Sequence, residues 1–248
     1  WSVRSATIWS VVRPLLIWSV VKAPMAAVVM AATSRVSSAA TSPAVDPFYQ
    51  YTGGTPLANI APGTVLNTRT VNYQILGLSL GFKATQLLYR STDAQLRPAV
   101  NVTTVIKPNC TLFCPNKNKV ISYQSFYDSL NPADQPSWAI AGGKTLGDLI
   151  PGVETALIAP FLIGGHTIII SDTQGQKADF AAGPEYGYNT LDSIRAAFKS
   201  PAIGLSSSAK VAMIGYSGGA IASEWAAELA PTYAPDVNKN LVGAAIGG

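Results

Sequence analysis

Short, wholly apolar runs alternate with segments of helical periodicity in the second half of the chain. Three such runs predict buried strands: residues 167–172, 209–215 and 241–247. Apolar residues recur at helical spacing over 189–200, and a second helix is expected over 219–230, which Pro231 helps to end. Strands that alternate with helices in this way form parallel βαβ units.

The first half of the chain has a different pattern. Two β-rich runs flank the polar turn "STDAQ" (91–95) and predict a hairpin, and residues 119–130 continue the strand pattern. Residues 46–71 are rich in Pro, Gly and Thr and predict an extended arm. An antiparallel start that feeds a parallel sheet is the order expected of an α/β-hydrolase. We therefore predict an α/β fold with a mixed, mostly parallel sheet whose first strands are antiparallel.

The 248 residues are 48% apolar and only 12% charged, which favours a globular protein with a large core. The first 45 residues hold four basic residues and no acidic one. The remaining basic and acidic residues balance, so the net charge of +4 belongs to this segment. We expect no nucleic-acid partner, because the balanced part carries no basic stripe.

Residues 1–45 predict a secretory leader, and residues 46–248 predict the N-terminal part of a hydrolase domain. Lys22, an apolar stretch and then Ser/Ala-rich sequence resemble the regions of a signal peptide. Arg13, Pro14 and Pro24 interrupt the apolar pieces, so we expect no membrane-spanning helix. An amphipathic surface helix and incorrectly translated upstream sequence remain alternative interpretations.

The cysteines and sequons bear on the compartment. Cys110 and Cys114 enclose three residues and form either a small disulfide or a pair of unbridged thiols, with neither favoured. Sequons at Asn101 and Asn109 predict glycosylation and agree with a secreted, extracellular protein. One histidine and two cysteines are too few for a convincing metal site, so we expect none.

The strongest chemical signal is the turn "GYSGG" at 215–219, which fits the G-x-S-x-G pattern of a nucleophile elbow. The pattern follows a predicted strand and opens a predicted helix, which is the context that this motif requires. Small neighbours allow a sharp turn that exposes Ser217, and the next N–H and the helix N-terminus favour an oxyanion there. A glycine-rich structural turn is the alternative interpretation.

Two further polar residues, Asp172 and His166, are candidates for a functional role. Asp172 ends the strand "TIIISD", and ligands of open α/β sheets gather beyond the carboxyl ends of strands. An ordinary Asx turn also explains Asp172, and the pattern alone slightly favours that turn. His166 precedes the same strand and therefore lies at the opposite edge from Ser217. We interpret His166 as structural and not as the catalytic base.

The chain resembles the fungal secretory lipase family, the lipase-A type of α/β-hydrolase, over about residues 46–248. The resemblance is carried by four segments: "DPFY" at 46–49, 122–140, 167–197 and, most specifically, 215–248. It implies hydrolysis of triacylglycerols and related esters by a secreted enzyme, with a lipid substrate at a lipid–water interface and no metal or organic cofactor.

The resemblance also implies residue roles. Ser217 would be the nucleophile, and the N–H of Gly218 and a protonated Asp172 would form the oxyanion hole. The chain departs from the family at Thr173 and Gln174, where an aromatic residue or histidine and then an acid are common. The family's catalytic acid, its histidine and its cap lie further along the chain, so we expect an N-terminal fragment in which neither triad partner can be assigned.

Such a fragment would be nearly inactive alone. Two other functions stay open: a non-catalytic truncated protein with the hydrolase fold, and a serine hydrolase or acyltransferase that acts on a different substrate.

Overall fold

A computed structural model describes residues 8–9, 40–75, 78–109, 115–143 and 149–248, which build one mixed sheet. Its eight strands are β1 (Ile8–Trp9), β2 (Val65–Ile75), β3 (Leu78–Thr92), β4 (Pro98–Ile106), β5 (Lys119–Gln124), β6 (Thr167–Ser171), β7 (Lys210–Tyr216) and β8 (Leu241–Gly247). Their order across the sheet is β1-β8-β7-β5-β6-β4-β3-β2. From β1 to β6 neighbouring strands are parallel, and from β6 to β2 they are antiparallel. The predicted combination of antiparallel first strands and a later parallel sheet is confirmed, except that the strand expected over 119–130 as part of the antiparallel start is β5, which ends at Gln124 and is parallel to both its neighbours.

Helices cover both faces of this sheet. They are α1 (Pro136–Ile140), α2 (Leu149–Ile163), α3 (Gly183–Lys199), α4 (Gly218–Tyr233) and α5 (Pro235–Asn238), and short 3-10 turns span Pro47–Tyr49, Leu57–Asn59 and Pro132–Asp134. Helix α4 continues through Pro231 to Tyr233, so the expectation that this proline ends the helix is wrong by two residues. None of the described helices is both long enough and apolar enough to span a bilayer.

The apolar run of β6 is buried on both sides, which explains why it shows no alternation. Ile168 and Ile170 pack into one core with Ile158 of α2, whereas Ile169 points to the other face and packs with Leu191 of α3. Side chains alternate between the two faces of a strand, so a strand between two helical layers must be apolar throughout.

The arm predicted over 46–71 is only partly an arm. Residues 65–71 belong to the eleven-residue strand β2, which pairs with β3. The part of β2 inside the predicted arm, "VLNTRT" at 65–70, has no apolar alternation, and a clear alternation begins only at Val71. Its place in the sheet is therefore decided by pairing with β3, which the local pattern does not reveal.

The parallel strands deliver their carboxyl ends to one edge of the sheet. Gln124 of β5 lies level with Gly215 of β7, and Tyr216 lies level with Gly247 of β8. The loops that follow β5, β6 and β7 consequently meet at this edge, which we call the catalytic edge after the role that the sequence predicts for Ser217. His166, immediately before β6, lies at the opposite edge, as predicted.

Candidate active site

Ser217 occupies the junction between the last residue of β7 and the first residue of α4. Its backbone has φ 52° and ψ −120°, a left-handed conformation that is costly for a residue with a side chain. The N–H of Ser217 donates to the carbonyl of Gly247 over 2.8 Å, which ties the turn to β8. Ser217 is exposed, and its hydroxyl does not cap the helix. The turn therefore holds a hydroxyl up at the catalytic edge.

Two glycines make this turn possible by letting backbones touch. A Cβ on Gly215 would overlap the carbonyl of Gly219, and a Cβ on Gly219 would overlap the carbonyl of Gln124 in β5. Both collisions involve backbone atoms and cannot be relieved by rotating a side chain. The sequence pattern G-x-S-x-G is thus a packing requirement of this strand, turn and helix.

Asp128 is the functional candidate that the sequence analysis missed. It lies four residues beyond the end of β5, and its Oδ1 atom occupies the space where a Cβ of Gly218 would stand. Asp128 is exposed, and loss of water around its carboxyl raises its pKa above the ordinary value for aspartate. A carboxyl group therefore lies directly beside the residue that follows Ser217. The signal available in the sequence is only that Asp128 lies in residues 119–130, which continue the strand pattern.

Glu154 of α2 holds the loop that carries Asp128. Its Oε1 atom accepts a hydrogen bond from the N–H of Phe126 over 2.8 Å, and Ser125 also bonds to this carboxyl. Glu154 is buried, and burial raises its pKa to about 7. The loop after β5 is thereby fixed to a helix, and Asp128 stays beside the turn.

The prediction that Asp172 belongs to the oxyanion hole is wrong. Asp172 follows β6 at the catalytic edge, but its side chain is completely buried. Its Oδ1 and Oδ2 atoms accept hydrogen bonds from the N–H and the hydroxyl of Ser137 over 2.9 and 2.6 Å. Burial raises the pKa of Asp172 to about 7. The carboxyl thus anchors α1 to β6 and does not face the space above Ser217.

The glycosylation prediction at Asn101 is also wrong. Asn101 lies in the middle of β4 with no exposed surface, and its Nδ2 atom donates to the hydroxyl of Tyr89 and to the carbonyl of Asp172. A glycan attached to this side chain could not be accommodated there. Asn109 is exposed, so glycosylation at Asn109 stays a prediction. Cys110 and Cys114 lie outside the described residues, and their pairing stays open.

His166 has a structural environment. Its Nδ1 atom lies 3.0 Å from the carbonyl of Phe161, and the two rings pack edge to face. This arrangement ties the end of α2 to the start of β6. His166 therefore lies at the opposite end of the parallel strands from Ser217. Among the described residues, no group of three or more His, Cys, Asp or Glu side chains is placed to hold a metal ion.

The buried carboxyl of Glu154 makes stability depend on pH. In the folded protein Glu154 keeps its proton up to about pH 7, whereas the free glutamate side chain releases the proton near pH 4.5. Between these values the unfolded chain binds fewer protons, so the free energy of unfolding falls as the pH rises. In Glu154→Gln the side-chain oxygen can still accept from the N–H of Phe126, but the side chain does not titrate. We expect the free energy of unfolding of this variant to fall with rising pH by up to about 3 kcal/mol less than that of the wild type.

Urea unfolding of both proteins at pH 5 and pH 7.5 measures this effect. Glu224→Gln, a change on the exposed side of α4, is the matched control and should retain the wild-type pH dependence. An identical pH dependence in Glu154→Gln and the wild type would show that Glu154 is ionised in the folded protein.

The sheet order, the helices on both faces and the serine turn after a parallel strand define an α/β-hydrolase. Residues 143–248 match the family model described as secretory lipase. Lipase 4 of Candida albicans is 42% identical over 84% of this chain, and the probable inactive lipase MT1628 of Mycobacterium tuberculosis is 39% identical over 83%. The crystal structure of Candida antarctica lipase A in its closed state has a TM-score of 0.72 and 36% identity over 85% of this chain. The chain belongs to the secretory lipase family.

The matched region is a part of each relative. The chain covers 45% of Lipase 4, 45% of MT1628 and 47% of lipase A, so it spans about half the length of the proteins that it matches.

Proposed function

We propose that the protein to which this chain belongs is a secreted lipase or carboxylester hydrolase that acts on triacylglycerols through Ser217. The observation that carries the proposal is the exposed residue Ser217 on a left-handed turn between β7 and α4. Membership of the secretory lipase family supports the substrate class and the extracellular location. The hydrolase unit would comprise residues 46–248 together with whatever else its complete domain contains.

In the proposed reaction, the Ser217 oxygen attacks the ester carbonyl and forms an acyl-enzyme, which water then hydrolyses. The developing oxyanion would accept hydrogen bonds from the N–H of Gly218 at the start of α4 and from Asp128. The Asp128 carboxyl would donate to the oxyanion only in its protonated form, and loss of water around it raises its pKa above the ordinary value. We assign the general base to no residue of this sequence, because His166 is its one histidine and lies at the opposite edge of the sheet.

An active-site label and two substrates test this proposal. The full-length polypeptide that carries this chain should react with a p-nitrophenyl alkylphosphonate, and mass spectrometry should locate one adduct on Ser217. It should hydrolyse emulsified tributyrin as well as soluble p-nitrophenyl butyrate, because a lipase acts on aggregated substrate. Absence of both labelling and hydrolysis would favour the non-catalytic alternative, and hydrolysis of soluble ester alone would favour an esterase with a different substrate.

A further inference from the structure

Gln174 connects the loop after β6 to the loop that carries Asp128. Its backbone N–H donates to the hydroxyl of Tyr127 over 3.1 Å, and its side-chain Nε2 donates to the backbone carbonyl of Tyr127 over 3.1 Å. Gln174 is completely buried and Tyr127 is nearly so. One glutamine thus contacts both ends of the residue that precedes Asp128.

The second of these hydrogen bonds fixes a peptide plane. The carbonyl of Tyr127 belongs to the peptide bond whose N–H is that of Asp128. Because a trans peptide is planar with its C=O and N–H pointing in opposite directions, the bond from Gln174 turns the Asp128 N–H away from Gln174. Within the described part of the chain, no acceptor bonds to this N–H, and the Asp128 carboxyl lies against Gly218.

The loop after β6 is itself held firmly, so Gln174 is a rigid support. The carbonyl of Gln174 accepts from the N–H of Asp179 over 2.9 Å. Asn189 of α3 donates to the carbonyl of Thr173 over 3.1 Å, and Gln135 donates to the carbonyl of Gly175 over 2.9 Å. The residues on both sides of Gln174 are therefore bonded to other elements.

We propose that Gln174 is a positioning residue of the oxyanion site: by holding the Tyr127 carbonyl, it directs the N–H and the carboxyl of Asp128 toward the oxyanion formed above Ser217. This inference rests on the proposed function. Gln174 does not touch the substrate, and it acts through the peptide that joins Tyr127 to Asp128. An amide suits this task because its N–H donor is present at every pH.

The decisive variant is Gln174→Met in the full-length polypeptide, which keeps the side-chain length and removes the donor. Loss of one oxyanion donor lowers kcat by about 100- to 1000-fold, so a misdirected donor should lower kcat by about 10- to 100-fold with little change in KM. Affinity for an alkyl trifluoromethyl ketone, which forms a tetrahedral adduct with the serine, should fall by the same factor. A residue that only stabilises the fold would not produce this parallel loss.

The same loop offers a matched control. Gln176 also has an amide contact, partly buried, from its Nε2 atom to the Oδ1 atom of Asn101 over 3.0 Å, but it does not reach Tyr127. Gln176→Met should therefore keep the wild-type kcat and ketone affinity. Equal kcat values in Gln174→Met and Gln176→Met, both corrected for the fraction of labelled Ser217, would overturn the inference.

A second variant decides the matter if Gln174→Met does not fold. Gln174→Glu introduces the acid that is common at this position in the family, and this acid can donate to the Tyr127 carbonyl only while its buried carboxyl is protonated. Its kcat relative to the wild type should therefore rise as the pH is lowered from 8 to 5. The ionisable groups that face this position are the hydroxyls of Tyr127 and Tyr186 and the buried carboxyl of Asp172. A ratio that does not change with pH would overturn the inference. A wild type that neither hydrolyses esters nor labels at Ser217 would instead contradict the proposed function.

Discussion

Ser217→Ala is expected to lower kcat for ester hydrolysis by at least about 10⁴-fold with little change in KM. The alanine variant has no oxygen to form the acyl-enzyme, whereas the surrounding donors and the substrate site remain. Residual catalysis by the oxyanion donors alone sets the lower limit of the remaining rate. The loss should be nearly the same for soluble and emulsified esters, because it arises at the chemical step.

The measurement is the steady-state rate on p-nitrophenyl butyrate and tributyrin, with phosphonate labelling of the same samples. Ser207→Ala is the control, because Ser207 is an exposed serine just before β7 at the opposite edge of the sheet. It should retain full activity and full labelling. Substantial hydrolysis by Ser217→Ala would place the nucleophile elsewhere in the protein.

The variant Ser217→Gly distinguishes the backbone strain of the turn from the chemical role of the serine hydroxyl. The φ of 52° at Ser217 is strained for serine and for alanine but is readily adopted by glycine. We expect Ser217→Gly to be as inactive as Ser217→Ala and yet more stable than it by about 1 kcal/mol in urea unfolding. The strain in the turn would then be a cost of presenting the nucleophile.

The sequence was sufficient to predict the position of Ser217 on a turn between a strand and a helix, because all the requirements of that turn are local. An apolar strand, a five-residue motif and a helix follow one another without interruption, and the structure places each of them as predicted. The hairpin of β3 and β4 was predictable for the same reason, since its turn residues and β-rich flanks are adjacent in the chain.

Asp172 and Asp128 show where local reasoning stops. The end of a strand predicts which edge of the sheet a residue occupies, and Asp172 does lie at the catalytic edge. The direction of its side chain depends on Ser137, which is 35 residues away. Asp128 stands beside Gly218 only because β5 and β7 are neighbours in the sheet. Contacts of this kind follow from strand order, which no short motif encodes.

Asn101 illustrates a conflict that the sequence already contained. The same residue was predicted both as part of a strand and as a glycosylated surface residue. Its neighbours "VNVTTV" favour the strand, and in the structure the amide pairs with buried groups of β3 and the loop after β6. A sequon inside a predicted central strand is therefore weak evidence for a glycan.

Gly215→Ala is expected to lower the free energy of unfolding by more than about 3 kcal/mol or to prevent folding. Its new methyl group would overlap the carbonyl of Gly219, in the first turn of α4, and would lie 2.6 Å from the hydroxyl oxygen of Ser223, in the second turn. Relief requires moving the helix away from β7, which would also break the contact of α4 with the buried face of the sheet.

Gly218→Ala should behave differently, because the atom that its methyl group meets is Oδ1 of Asp128, at the end of a side chain that can rotate away. We expect this variant to fold with nearly wild-type stability but to lose about 10- to 100-fold in kcat, since Asp128 can no longer lie beside the turn.

Gly243→Ala, in the neighbouring strand β8, meets no atom within 4 Å and is the control for both effects. Urea unfolding and ester hydrolysis of the three variants would thus assign Gly215 to the architecture of the turn and Gly218 to its chemistry. Equal stability of Gly215→Ala and Gly243→Ala would contradict the close packing of β7 against α4.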